Sequence, residues 1–148
     1  MDTSYTADGI APVRFDTKVV VVLVDDLMAW QELNVTAFLM SGIATSQPDL
    51  VGEPYVDADS NKYLPMLRQP VMVMSASSQT LAAARSKAMS REIPIAVYTR
   101  ELFATGHDEA NRAAVAEVAA ADLDLVGIAL LGPKNAIDKV VKGASMHR

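Results

Sequence analysis

The sequence predicts an α/β domain in which helices cover both faces of a small mixed, mostly parallel sheet, a three-layer α/β/α arrangement. Three observations predict it. Lys18–Asp25 is a nearly continuous β-branched run of the kind that fills a strand buried on both faces. Val126–Leu131 is a second apolar run, which stops at Gly132-Pro133 and passes at once into an amphipathic helix pattern ending near Gly143. Between these two, apolar runs alternate with helical patterns and no internal repeat is visible, as expected of a sheet covered by helices.

Each element has its own reason. Met1–Asp16 lacks periodicity and holds Gly9 and Pro12, which predicts a flexible N-terminal arm, with residues 17–148 as a single domain. After the first strand Asp26 is placed to cap a helix whose apolar positions Trp30, Leu33, Ala37 and Met40 recur at helical spacing, with Gly42 near its end. Thr45–Pro54 reads as a loop, and Tyr55–Leu67 as a hairpin or two short strands turning around Asp57–Asn61. Pro70–Ser75 is an apolar strand in which Met72 and Met74 alternate with Val71 and Val73, adaptable packing for a core. Ser77 or Ser78 caps an Ala-rich helix to about Glu92, with Leu81, Ala84 and Ala88 inward. Ile93–Thr99 is the next strand. Thr105 with Asp108 forms a capping-box pattern for a helix to about Ala121. Leu123–Leu131 is the last strand, and Asn135 with Asp138 caps the last helix, which turns Ile137, Val140 and Val141 inward.

Composition narrows the chemistry. The chain has no cysteine, which removes disulfides, thiol nucleophiles and zinc–thiolate sites and fits a reducing compartment. Eighteen acids against 13 bases give a net charge of −5, opposite to the basic footprint of a nucleic-acid binder. Met1–Asp16 has no apolar h-region and no run approaches a bilayer span, so a cytoplasmic protein with no membrane contact is expected.

No catalytic motif is complete. Asp57-x-Asp59-x-Asn61 begins like a calcium loop, but Lys62 stands where glycine is needed and Arg68 where the loop's closing glutamate belongs. A turn built by Asp and Asn side chains explains it better. Asp25-Asp26 has no ligand cluster to join, since His107 and His147 are the chain's two histidines; no metal or other cofactor is implied. Ser75, Ser77 and Ser78 read as capping groups. The polar side chains worth following lie near expected strand ends and the first helix. Gln31 and Asn34 share one face of that helix, where buried amides need partners. Tyr98, Thr99 and Arg100 end a strand, and Arg100 suits a carboxylate or phosphate, or else a surface pair with Glu101 or Asp26. Lys134 opens the last helix and would add positive charge.

Three blocks carry a resemblance: Lys18–Leu27 running into Gln31–Ala37; Tyr55–Asn61; and Gly127–Lys134 with Ile137–Val140. In order and spacing the chain resembles a bacterial family of unknown function, numbered two thousand among such domains and related to type II peptidyl-tRNA hydrolases. The likeness covers most of Lys18–Gly143. It implies the hydrolases' fold, a homodimer, and a site between the first helix and the loop after Ile95–Thr99. The hydrolases' catalytic pattern is not matched. Their glycine- and lysine-rich helix start is Met28–Phe38 here, without lysine, and Phe38 stands about where their histidine lies. Their Asp-Ala-Gly turn is replaced by Tyr98–Leu102, which lacks the aspartate.

The expectation is therefore a binding or regulatory module rather than a hydrolase. Its candidate pocket comprises Gln31, Asn34, Tyr98, Thr99, Arg100 and Lys134, and suits a small-molecule or peptide-like ligand. The alternative is a divergent peptidyl-tRNA hydrolase or other ester hydrolase, with tRNA disfavoured by the negative charge; a purely structural homodimer is the third possibility.

Overall fold

The computed structural model describes residues 13–148. The expected flexible arm falls mainly on Met1–Pro12, outside the described residues. Its last residue is tied down: the Asp16 carbonyl accepts a hydrogen bond from the Lys134 amide at 3.1 Å.

The described residues form seven strands and four α-helices, in the order β1 (Thr17–Val24), α1 (Ala29–Ser46), β2 (Tyr55–Val56), β3 (Lys62–Tyr63), β4 (Val71–Ala76), α2 (Ser78–Ser90), β5 (Ile95–Thr99), α3 (Asp108–Ala116), β6 (Leu125–Pro133), α4 (Lys134–Val140) and β7 (Ser145–Met146). Five strands form one sheet in the order β5-β6-β1-β4-β7. The β-branched run of β1 lies near its centre, and Val19–Val24 are all buried.

The sheet is mixed but not mostly parallel. Only β1 and β4 run parallel; β5 with β6, β6 with β1 and β4 with β7 are antiparallel. A strand buried on both faces shows the same unbroken apolar run whichever way it points, so the sequence carries no sign of direction. The reversal matters for the site. The carboxyl ends of β1, β4 and β5 share one edge of the sheet, while β6 ends at the other, with Pro133 opposite Thr17.

Helices lie on both faces. A Cβ built on Gly127 would come 2.6 Å from Val35 of α1, whereas one on Gly132 would meet Ile137 of α4 at 3.3 Å. Five residues apart on one strand, these positions point to opposite faces. Under α1 the sheet presents small residues: Ala96 pairs with Ala129, and Gly127 lies beside Tyr98. Lys18, buried in β1, ties that strand to α4 through Asp138 at 2.7 Å. That bond holds its ammonium pKa above the ordinary value, against the effect of burial.

Several local expectations change. Ser77 does cap α2, accepting from the Thr80 amide at 3.1 Å. Asp26 does not cap α1: the helix begins at Ala29 after Met28, whose amide donates to Gln31 Oε1 at 2.9 Å. Nor does α1 turn the expected stripe inward. Val35, Leu39 and Ile43 are buried, while Leu33 is 73 % and Trp30 56 % exposed. The helix also continues past Gly42 to Ser46. The last helix has no side-chain cap from Asn135, which lies inside its first turn after the N-cap position Pro133, and Asp138 is engaged with Lys18. The hairpin forms as expected, with Tyr55 opposite Tyr63. Tyr63 Oη and the Asn61 side chain and amide hold the Asp57 carboxyl down at about 2. Ser145–Met146 add β7 to β4, and His147 ion-pairs with Glu32 of α1.

Two outcomes are expected. Gly127→Ala drives a methyl into Val35 and Leu39 and costs about 1–3 kcal/mol in denaturant unfolding. In a Val35→Ala background the added cost shrinks, and an undiminished cost would refute close helix approach as the glycine's role. The His147 bond to Glu32 holds the imidazole pKa above its ordinary value. A raised pKa stabilises the fold fully below the unfolded value of about 6.5, and the contribution fades as pH rises through the folded value. NMR titration should place the His147 midpoint above the unfolded value, with Glu32→Gln bringing it back and flattening that limb of the stability curve.

Candidate functional site

The carboxyl end of β5 opens into a cavity of about 320 Å³ between α1 and the segment that follows the strand. One stripe of α1 forms a wall. Trp30, Asn34 and Phe38 recur every four residues and so share a face, adjacent to the Val35–Leu39 face that docks on Gly127. Tyr98 lies under this stripe, on the strand position paired with Gly127. The close approach at the glycine brings Asn34 Nδ2 to Tyr98 Oη at 3.5 Å.

Four rings form a continuous arc beside Asn34. Trp30 meets Phe103 edge-on at 5.8 Å between centroids, Phe103 meets Tyr98 at 5.2 Å, and Tyr98 meets Phe38 edge-on at 5.9 Å. Such tilted contacts are the favoured arrangement of aromatic pairs. Trp30 and Phe38 remain 56 % and 54 % exposed at the cavity. Burial pushes the Tyr98 phenol pKa up, opposed by the Asn34 bond. Tyr98 therefore stays protonated and able to donate through neutral pH.

The other wall comes from the chain after β5. A 3-10 turn, Arg100–Ala104, carries Phe103, and α3 carries Asn111. The expected Thr105–Asp108 capping box does not form. His107 is the cap, its Nδ1 accepting from the Ala110 amide at 3.2 Å. The Thr105 hydroxyl lies within hydrogen-bond reach of the Leu102 carbonyl, at 3.0 Å, and of Asn111 Oδ1; its single proton serves one at a time. Neither the turn nor α3 buries a residue. Arg100 anchors the turn, with Nε 3.1 Å from Asp124 and Nη2 3.4 Å from Asp26.

Of the six residues singled out in the sequence, Asn34 and Tyr98 line the cavity together. Gln31 lies one turn away and is spent on the Met28 amide. Thr99 is buried at the irregularity between β5 and β6, and its Oγ1 has no hydrogen-bond partner among the described residues. Arg100 faces two carboxylates. Lys134 lies at the opposite edge of the sheet, beside Asp16 and Thr17, because β6 runs antiparallel to its neighbours. Sequence reasoning missed Trp30, Phe38, Phe103, His107 and Asn111. The first two were legible as a four-residue stripe with Asn34, whereas the others depend on the path of the turn.

Chemically, the cleft offers apolar ring surface and neutral hydrogen-bonding groups. Asn34 Oδ1, Asn111 Nδ2 and His107 Nε2 have no partner among the described residues. Asp108, which also lines the cavity, is ion-paired with Arg112 one turn on. The histidine nitrogen that would act as a base is committed to the helix cap. Among the described residues no helix is long and apolar enough to cross a membrane.

The family described as "Protein of unknown function (DUF2000)" matches residues 17–148. Among the solved structures that match is that of a protein of unknown function, Atu0240, from Agrobacterium tumefaciens strain C58. It is 43 % identical, covers 90 % of this chain and 99 % of its own, and superimposes with a TM-score of 0.88. No curated protein matches the chain.

The anchoring role of Arg100 is testable. Its pairs are more than a third exposed, so Arg100→Met should cost no more than about 1 kcal/mol in global stability. Amide exchange across Arg100–Asn111 should nevertheless speed up, because this wall has no buried residue to hold it. Unchanged exchange there would show that the two carboxylates do not anchor the turn.

Proposed function

The chain belongs to the DUF2000 family of proteins of unknown function, and on that premise we propose that it is a binding or regulatory module rather than a hydrolase. The cleft between α1 and α3 takes a small-molecule or peptide-like ligand. The observation that carries this reading is the arc of four rings around Asn34 at a sheet edge, with two of the rings left more than half exposed. Ligand sites combine apolar walls with placed polar groups; here the rings face Asn34, Thr105, His107, Asp108 and Asn111, a lining about half polar.

The resemblance to type II peptidyl-tRNA hydrolases supports the same location for the site but not the same chemistry. Phe38, where the hydrolases' histidine would stand, packs against Tyr98. His107 and Asp108, the lining groups able to take a proton, are committed to the helix cap and to Arg112. General base catalysis needs a group free to accept a proton from water in reach of the ester. A net charge of −5 also argues against a tRNA partner. The alternative, a divergent peptidyl-tRNA hydrolase or other ester hydrolase, makes the opposite forecast in one assay.

The purified protein, at high concentration with a peptidyl-tRNA, should release no more peptide than buffer does. N-acetyl dipeptide amides should shift the side-chain amide NMR signals of Asn34 and Asn111 while leaving those of the distant Asn61 and Asn135 unmoved. Phe38→Ala should weaken that response about fivefold or more. Peptide release abolished by Asn34→Ala would overturn the proposal in favour of a hydrolase. Shifts spread evenly over all four amides, or none at all, would remove the cleft as the peptide site.

A further inference from the structure

We infer that the cleft recognises an uncharged aromatic ring bearing an amide-type edge, a hydrogen-bond donor beside an acceptor, as in an aryl carboxamide or a nucleobase. This rests on the reading of the cleft as a ligand site and names the ligand's chemistry.

Three observations carry it. The first is ring surface. Trp30 and Phe38 flank Asn34 on one helix face and stay more than half exposed, although such rings gain most from burial. A flat ring laid on this surface recovers that free energy and adds aromatic contacts that an aliphatic group of the same size lacks. The second is charge. Asp108 is the one carboxylate lining the cavity, and it is solvent-exposed and paired with Arg112. A carboxylate, phosphate or ammonium entering here would lose hydration without gaining an unpaired counter-charge. The third is the polar pattern. One of the two Asn34 Nδ2 protons goes to Tyr98, and Asn111 Oδ1 lies within reach of the Thr105 hydroxyl. The amide atoms wholly without a partner among the described residues are an acceptor on α1, Asn34 Oδ1, and a donor on α3, Asn111 Nδ2. A ligand that donates to the first and accepts from the second has an amide-type edge. The volume, about 320 Å³, sits at the small end of the range for ligand pockets, roughly 300–1,000 Å³. It suits a ring rather than an extended chain.

The chain's single tryptophan is Trp30, so its indole N–H gives one assignable NMR signal inside the site. The test titrates the intact protein with benzamide, nicotinamide and cytosine, and with three comparators that each change one property. Cyclohexanecarboxamide keeps the amide without the aromatic ring, benzoate keeps the ring with a negative charge, and tetramethylammonium offers a bare cation. At least one of the first three should move the Trp30 indole and the Asn34 and Asn111 amides at a concentration about fivefold or more below every comparator. Asn111→Ala should weaken it about fivefold or more, as should Asn34→Leu, which keeps the size of the side chain and removes the acceptor. Tighter binding of nicotinamide than of cytosine supports the inference with a free aryl carboxamide as the source, and the reverse order supports it with a nucleobase.

Equal binding of cyclohexanecarboxamide would overturn ring recognition, and tighter benzoate or tetramethylammonium would overturn neutrality. If no ring compound moves Trp30 while dipeptide amides still move Asn34 and Asn111, this inference fails and the binding-module reading survives. If neither class binds, both fail.

Discussion

At Gly127 the backbone of β6 meets α1 with no side chain between them, and the geometry of the cleft follows from that contact. Val35 and Leu39 sit where a Cβ would be, at 2.6 and 3.0 Å from its ideal position. Tyr98 lies opposite on β5 and Leu23 on β1, so one row of the sheet supplies a tyrosine, a gap and a leucine. The gap admits α1; the tyrosine beside it meets the next stripe of the same helix. Rotate or lift α1, and Asn34 loses Tyr98 together with the arc of rings. Structure and site are linked here by the absence of a methyl group.

The second constraint is electrostatic. Arg100, which in the sequence suits an anionic ligand, is occupied within the fold, as are Lys18 and Arg112. Lys18 holds Asp138, Arg100 spans Asp26 and Asp124, and Arg112 holds Asp108. Each of these pairs serves position. Lys18 fastens α4 to the central strand, and Arg100 fastens the turn whose Phe103 closes the ring arc. The cleft is left neutral at the heart of its walls, in a protein whose overall charge is negative.

Much of the fold is legible in the sequence because its signals are strong and local. The β-branched run gives β1, Ser77 marks the start of α2, and the Asp57–Asn61 turn gives the hairpin. Strand direction is not legible, since the core residues of β6 look alike either way along the chain. That ambiguity misplaced Lys134 by the full length of a strand. The orientation of α1 fails for a related reason. Trp30, Leu33, Ala37 and Met40 recur at helical spacing, but so do Val35, Leu39 and Ile43. A helix apolar on several sides does not announce which side is buried, and Gly127, which decides the matter, lies nearly ninety residues later. The site divides in the same way. Asn34 and Tyr98 were visible as polar groups on elements expected to converge. Phe103, His107 and Asn111 needed the path of a turn that sequence spacing does not determine.

The two residues of β7 also govern how the protein behaves among other copies of itself. A strand at the end of a sheet exposes unpaired amides and carbonyls that can template association, and proteins blunt such edges with short strands or covering segments. Ser145–Met146 pair with Ser75 and Met74, and the His147 amide donates to the Val73 carbonyl at 3.0 Å. Beneath this cover lies a methionine- and valine-rich strand, Val71–Met74, of the composition that favours pairing between chains. The tail is therefore a selvedge that keeps the sheet from unravelling into its neighbours. A change that strips Ser145–Met146 from β4 would act on solubility before it touched the cleft.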